Sequence, residues 1–146
     1  MDTSISARLR AGVATASAEE TRELAAAWAA TLPTDATVAL HGDLGSGKTT
    51  WVQGMAVGFG VTEPVTSPTF TIYNVHRGRG RLLVHLDAYR LSAAAEADDL
   101  LLEEFLVSPW CLAIEWPERI PAWIPPGTFH LELEVAADGR HSVLLR

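Results

Sequence analysis

Gly42-Asp43-Leu44-Gly45-Ser46-Gly47-Lys48-Thr49 fits the pattern G-x-x-x-x-G-K-[ST] of a phosphate-binding loop, the P-loop. Each fixed position has a physical job. The glycines permit positive φ, so successive N–H groups turn inward and form a concave anion nest. The helix that must follow adds the positive end of its dipole beneath the phosphates. Lys48 supplies a mobile point charge for the outer phosphates, and the Thr49 hydroxyl can ligate Mg²⁺. Gly45, Ser46, Gly47, Lys48, Thr49 and Thr50 are thus the candidate nucleotide-binding run. Working outward, Thr37-Val38-Ala39-Leu40-His41 reads as a short buried strand entering the loop. Thr49 to Phe59 reads as a helix with Trp51, Met55, Ala56 and Phe59 along one face, stopped by Gly58 and Gly60. Trp51, two residues past Thr49, is expected to report Mg²⁺-nucleotide by its fluorescence. Lys48 is the only lysine of the 146 residues, the other ten basic side chains being arginine.

A chain of this length is expected to be one domain with a real core, and 48% apolar with 20% charged residues suits a globular protein. No apolar run approaches the ~20 residues of a membrane span. Met1-Asp2-Thr3-Ser4-Ile5 lacks the basic segment and apolar core of a signal peptide, and the single cysteine, Cys111, cannot form an internal disulfide. A cytoplasmic protein with no membrane partner is therefore expected. Cys111 sits in an apolar run and reads as a core residue. The five histidines lack metal-ligand spacing, so no zinc site is expected. A net charge of −7 removes the usual electrostatic source of affinity for a phosphate backbone. Any RNA connection should run through another protein.

Along the chain, residues 1–13 show no packed element and are expected to be partly disordered, leaving a single domain over 14–146. Ser17 with Glu20 forms a capping box for a helix whose stripe is Leu24, Trp28 and Leu32. Ser67-Pro68 marks a bend, and a strand is expected from near Thr69. Arg77 to Gly80 turns it into a second strand ending at Asp87; so short a link makes the pair antiparallel. Arg77, Arg79 and Arg81 read as solvated. Leu91 to Leu106 should be mainly helical, with Leu100, Leu101 and Phe105 inward and Glu96, Asp98, Asp99, Glu103 and Glu104 on a solvated face. Trp110 to Ile114 suits a central strand ending at Glu115. Phe129 to Val135 alternates as a half-exposed strand, and Asp138-Gly139 turns it into a last one. The fold class is α/β with a mixed, parallel plus antiparallel sheet flanked by helices.

A P-loop needs a further group at the Mg²⁺, usually an acid at the carboxyl end of a neighbouring strand. Asp87 and Glu115 both qualify, and spacing does not separate a metal ligand from a water-positioning base. Ser67 and Thr69 form a candidate switch, because a loop hydroxyl can contact a γ-phosphate in the triphosphate state alone. A guanine-reading Asn-Lys-x-Asp motif is impossible without a second lysine, which favours adenine. Two other readings share the loop: a small-molecule kinase, and a nucleotide-binding interaction module that does not hydrolyse.

Four motifs occur in order: Gly42-Asp43-Leu44-Gly45-x-Gly47-Lys48-Thr49-Thr50, Ser67-Pro68-Thr69-Phe70, His85-x-Asp87-x-Tyr89-Arg90-Leu91 and Ile114-Glu115-Trp116-Pro117-Glu118. Together they resemble the TsaE (YjeE) family of small bacterial ATPases over roughly residues 15–145. The resemblance implies a single P-loop domain using ATP and Mg²⁺. Lys48 would bind phosphate, Thr49 and Glu115 would hold Mg²⁺, and Asp87 would be the further acid of hydrolysis. Ser67 to Thr69 would be a switch segment, with nucleotide contacts from Ser17 to Thr21 and from Arg140 in the last hairpin. It also implies an accessory role in forming N6-threonylcarbamoyladenosine (t6A) beside the anticodon of tRNAs reading codons that begin with A. The partner would be the TsaB–TsaD heterodimer, with tRNA met only indirectly and hydrolysis weak in the chain alone. Arg90 is a candidate γ-phosphate or partner contact.

Overall fold

The computed structural model describes residues 4–68 and 72–146. In chain order these form α1 (Ile5–Ala11), β1 (Val13–Thr15), α2 (Ala18–Ala29), β2 (Ala36–His41), α3 (Lys48–Gly58), β3 (Tyr73–Arg77), β4 (Leu82–Asp87), α4 (Ala94–Asp98), β5 (Trp110–Glu115), β6 (Phe129–Val135) and β7 (His141–Leu145). The strands make one sheet in the order β1-β7-β6-β2-β5-β4-β3. β2, β4, β5 and β6 run parallel, while β3, β7 and β1 join antiparallel to their neighbours. The α/β architecture with a mixed sheet is as the sequence predicts.

β2, β4 and β5 are apolar almost throughout because both faces of the sheet are covered there. On one face, α1, α2 and α3 bury Leu9, Trp28, Trp51, Met55, Val38, Leu40 and Leu131. On the other, the irregular segment around α4 buries Val84, Leu86, Leu102, Ile114 and Ile120. Cys111 is fully buried, and burial pushes its thiol up to about 12, as befits a core residue rather than a nucleophile. Half of the expected capping box forms: Ser17 Oγ accepts from the Glu20 N–H at 3.1 Å, while the Glu20 carboxylate reaches one residue further back and accepts from the Ala16 N–H at 2.7 Å. Gly54 lets α3 seat closely on α2, since a Cβ there would lie 2.4 Å from the Arg22 carbonyl oxygen. Among the described residues, no helix is long and apolar enough to cross a membrane.

Three local expectations are corrected. Residues 1–13 are not without a packed element: Ser4 caps α1, Leu9 is fully buried, and Val13 opens a strand paired with β7. Its apolar stripe is too short to register as periodic, and the edge of β7 supplies the partner that a local reading lacks. The helix expected over Leu91–Leu106 is instead the five-residue α4 and a 3₁₀ turn at Leu102–Glu104, divided by Leu101 at φ +53°. One continuous helix would stack Asp99 over Glu103 with no base nearby, a destabilising i,i+4 pair. The break turns Leu101 outward, 49% exposed, and buries Leu102 in its place. Arg81 is not solvated: its guanidinium donates to the carbonyls of Leu32, Pro33 and Trp110 and stacks on Phe59 at 4.7 Å. The strand start expected near Thr69 lies outside the described residues; the strand itself is described over Tyr73–Arg77.

Candidate functional site

β2 delivers the chain to the carboxyl edge of the sheet, and α3 starts at Lys48, so residues 42–47 wrap the N-terminus of that helix. Gly47 is its N-cap at φ +102° and offers no side chain to the first turn, leaving those N–H groups for an anion. Gly42 sits at φ +155°, and a Cβ there would fall 2.4 Å from Ser46 Oγ and 2.5 Å from the Leu133 carbonyl oxygen. Ser46 Oγ is buried and has no hydrogen-bond partner among the described residues. Gly45, at φ +83°, faces open space. The two glycines should therefore respond differently. Gly42→Ala must displace the loop against a strand carbonyl, and we expect nucleotide affinity to fall about tenfold or more. Gly45→Ala meets only the left-handed backbone cost, about 1 kcal/mol. Isothermal titration with Mg²⁺-ATP checks the order.

Lys48 is 5% exposed; its ammonium donates to the Gly42 carbonyl and lies 3.4 Å from the centroid of the Trp116 ring. Burial lowers its pKa, opposed by the charges of Glu115, Glu118, Asp87 and Asp43. Thr49 Oγ1 donates to Glu115 Oε2 at 3.3 Å, and His85 Nε2 meets the same oxygen at 2.5 Å. A carboxylate only accepts, so Nε2 carries the proton. Glu115 is 4% exposed and His85 fully buried, which fixes that carboxylate in one orientation. Mg²⁺ bonds oxygen at about 2.0–2.1 Å, placing neighbouring octahedral ligands about 2.9 Å apart. Thr49 Oγ1 and Glu115 Oε2, 3.3 Å apart, are hard oxygen donors of the kind Mg²⁺ takes, and would need to close by a few tenths of an ångström to share one ion. The described residues contain no cluster of three or more His, Cys, Asp or Glu able to hold a metal.

Asp87 pairs in register with Glu115 across β4 and β5, so both acids stand at one edge of the sheet. Its Oδ1 accepts from the Tyr89 N–H at 3.0 Å. Burial raises its pKa, and Glu115 adds to the rise against the pull of that N–H, His85 and Lys48. Arg140 lies in the exposed β6–β7 turn, its guanidinium held by Asp138 at 3.0 Å. The next residue, His141, touches the loop, its Nδ1 donating to the Ser46 carbonyl at 3.0 Å. Ser67 is half-buried, in a segment tied to α3 by Gln53 Nε2 donating to the Val65 carbonyl at 2.9 Å. The other switch candidate, Thr69, lies outside the described residues. Ser17 and Thr21 serve the start of α2, with Thr21 Oγ1 2.6 Å from Thr15 Oγ1. Thr50 is half-buried in the first turn of α3, and Arg90 is exposed three residues past Asp87. Trp51 is fully buried against Trp28, away from solvent, so Trp116 is the better-placed fluorescent reporter.

His85, Trp116 and His141 are the site residues that the sequence reading left without a role. His85 carried a signal, a histidine inside an apolar strand two residues before Asp87. His141 carried none, because only the register of the β6–β7 hairpin brings it to the loop.

On the opposite face of the sheet, His41 Nε2 and His130 Nδ1 are 2.9 Å apart, next to Glu118, Glu132 and Arg146. Beside them an open cleft of about 560 Å³ is lined by Asp43, Leu44 and Ser46 of the loop and by Glu132 to Val135. Three carboxylates there disfavour phosphate, which leaves the Lys48–Thr49 side for the anion. Burial, then Arg146, lowers the pKa of both histidines, with His130 adding to the effect at His41. Each therefore holds its proton less tightly when folded. Their stabilising contribution is complete above the ordinary value of 6.5 and is lost as pH falls through their lowered values. Asp87 works oppositely: its contribution is complete below 3.8 and is lost as pH rises through its raised value. Thermal melts from about pH 8 to about pH 5 should show Tm falling, with a shallower fall in His130→Gln.

The profile of the family described as "Threonylcarbamoyl adenosine biosynthesis protein TsaE" matches residues 15–143. The tRNA threonylcarbamoyladenosine biosynthesis protein TsaE of Treponema pallidum is 40% identical over 106 residues, 73% of this chain and 78% of that one. Its namesake from Bacillus subtilis is 34% identical over 129 residues, 88% of this chain and 80% of that one. The crystal structure of Bacillus subtilis YdiB superposes with a TM-score of 0.76 at 31% identity, covering 92% of this chain and 82% of that one. A P-loop at the head of β2, the acid of β5 beside its threonine and this breadth of similarity agree: the chain belongs to the TsaE family.

Proposed function

We propose that the protein is a Mg²⁺-dependent ATP hydrolase, cytoplasmic, that acts as an accessory in t6A formation on tRNA by binding and resetting the TsaB–TsaD complex. The observation that carries the reading is the Thr49–Glu115–His85 array set beside Lys48 on the P-loop. The loop N–H groups and Lys48 would bind the β- and γ-phosphates, and Thr49 with Glu115 would hold Mg²⁺. The ion would supply charge neutralisation on the phosphate oxygens. His85 keeps the Glu115 carboxylate aimed at Thr49 by occupying one of its lone pairs. Asp87, with a pKa raised by burial, is a stronger base than an exposed aspartate and is suited to accept a proton from an attacking water. No arginine among the described residues is paired into this array, which supports weak turnover by the chain alone and a partner-dependent rate. Arg140, in the exposed β6–β7 turn, would serve as a nucleotide contact, and the exposed Arg90 as a γ-phosphate or partner contact. Ser67 to Thr69 would act as the switch.

The net charge of −7 supports a division of labour in which partner proteins, not this chain, grip the tRNA. Against a kinase, Arg81 is committed to backbone carbonyls and no arginine-bearing insertion is seen among the described residues. Against a non-hydrolysing module, two acids stand at the edge of the site where one would suffice to bind metal. ATP hydrolysis by the protein alone and with a cognate TsaB–TsaD pair tests the reading. We expect slow turnover alone, a changed rate with the pair, and loss in Asp87→Ala with nucleotide binding kept. A pair that neither binds nor changes the rate would sink it.

A further inference from the structure

Lys48 is enclosed rather than displayed. Its ammonium lies 3.4 Å from the Trp116 ring centroid on one side and donates to the Gly42 carbonyl on another, leaving the residue 5% exposed. Trp116 is held there under strain, since its backbone is left-handed at φ +59°, a conformation unfavourable for a bulky residue. Pro117 follows and fixes the turn. The Tyr89 ring lies 5.1 Å from the indole at 59°, and the Arg119 guanidinium covers Tyr89 at 5.0 Å. Tyr89 is 52% exposed, so the outer end of this stack reaches the surface.

We infer that Trp116 is a positioning residue that gates the phosphate site: its ring holds the Lys48 ammonium by a cation–π contact which an incoming phosphate must displace. The inference rests on the reading of this loop as a nucleotide site and deepens it. A strained backbone with an aromatic ring parked on a functional lysine is a two-position element, and phosphate favours the position with the ring withdrawn. Tyr89, in tilted contact with the indole, and Arg119, over the Tyr89 ring, bias it toward the closed position. Affinity for phosphate is then lower than the P-loop could deliver, by the free energy of the ring contact.

Binding of Mg²⁺-tripolyphosphate, which has no base or ribose, tests this by titration calorimetry on the whole chain. The wild type should bind. Trp116→Ala should bind about three- to tenfold tighter, Trp116→Phe close to wild type, and Arg119→Ala tighter by a smaller factor. The fluorescence difference between wild type and Trp116→Phe, which isolates this indole, should change when tripolyphosphate is added. Folded Trp116→Ala that binds equally or more weakly overturns the gate, as does a difference spectrum indifferent to bound tripolyphosphate. If Trp116→Ala does not fold, the spectrum and Arg119→Ala decide. These outcomes are separable from the proposed function: a wild type that binds neither tripolyphosphate nor ATP defeats both, whereas wild-type binding without tightening in the variants defeats the gate alone.

Discussion

Lys48→Ala is expected to lower Mg²⁺-dependent ATP turnover by a factor of about 10²–10³, with the fold retained. The chain has no second lysine, and no arginine among the described residues is paired into the Thr49–Glu115–His85 array. The magnitude follows from position. A buried ammonium acts on phosphate with little solvent screening, and it stands in the field of Glu115, Glu118, Asp87 and Asp43. Removing it leaves those carboxylates facing the incoming anion. Circular dichroism and the rate under saturating ATP separate the chemical loss from any loss of folding.

Glu115 should show two separable losses. In Glu115→Ala the buried His85 Nε2–H loses its acceptor, so stability should drop by about 1–3 kcal/mol, or about 2–10 °C in Tm, along with the loss of turnover. Glu115→Gln keeps an amide oxygen for His85 but removes the negative charge that a divalent ion needs. We expect it to melt close to the wild type and still fail to hydrolyse. Melting curves with and without Mg²⁺-ATP distinguish the pair: ligand should raise the wild-type Tm and leave that of Glu115→Gln almost unmoved.

The contrast between what the sequence disclosed and what it concealed has a physical basis. Gly42, Gly47 and Lys48 were legible because an anion nest demands particular backbone freedom at fixed spacing. β2, β4 and β5 were legible because a strand buried on both faces is an apolar run that stops at its polar end, here at Asp87 and Glu115. The Leu91–Leu106 segment misled because its pattern suits a helix while its unrelieved acids oppose one, and the chain resolves the conflict at Leu101. Arg81 misled because a turn arginine beside glycines looks solvated until the carbonyls at the end of α2 are brought beneath it. The partners of the site were hidden for a third reason. His141 meets Ser46 across 95 positions of sequence and Trp116 meets Lys48 across 68, so neither contact leaves a local trace.

The central claim is that nucleotide chemistry at this loop resets a partner rather than modifying RNA itself. Its most direct measurement is t6A formed on tRNA by a cognate TsaB–TsaD pair under multiple-turnover conditions, with ATP, Mg²⁺ and the threonylcarbamoyl donor in excess. The account predicts that product stops near one equivalent of the pair in the absence of this protein or with Lys48→Ala, and continues to accumulate with the wild type. Equal accumulation with wild type and Lys48→Ala would contradict it.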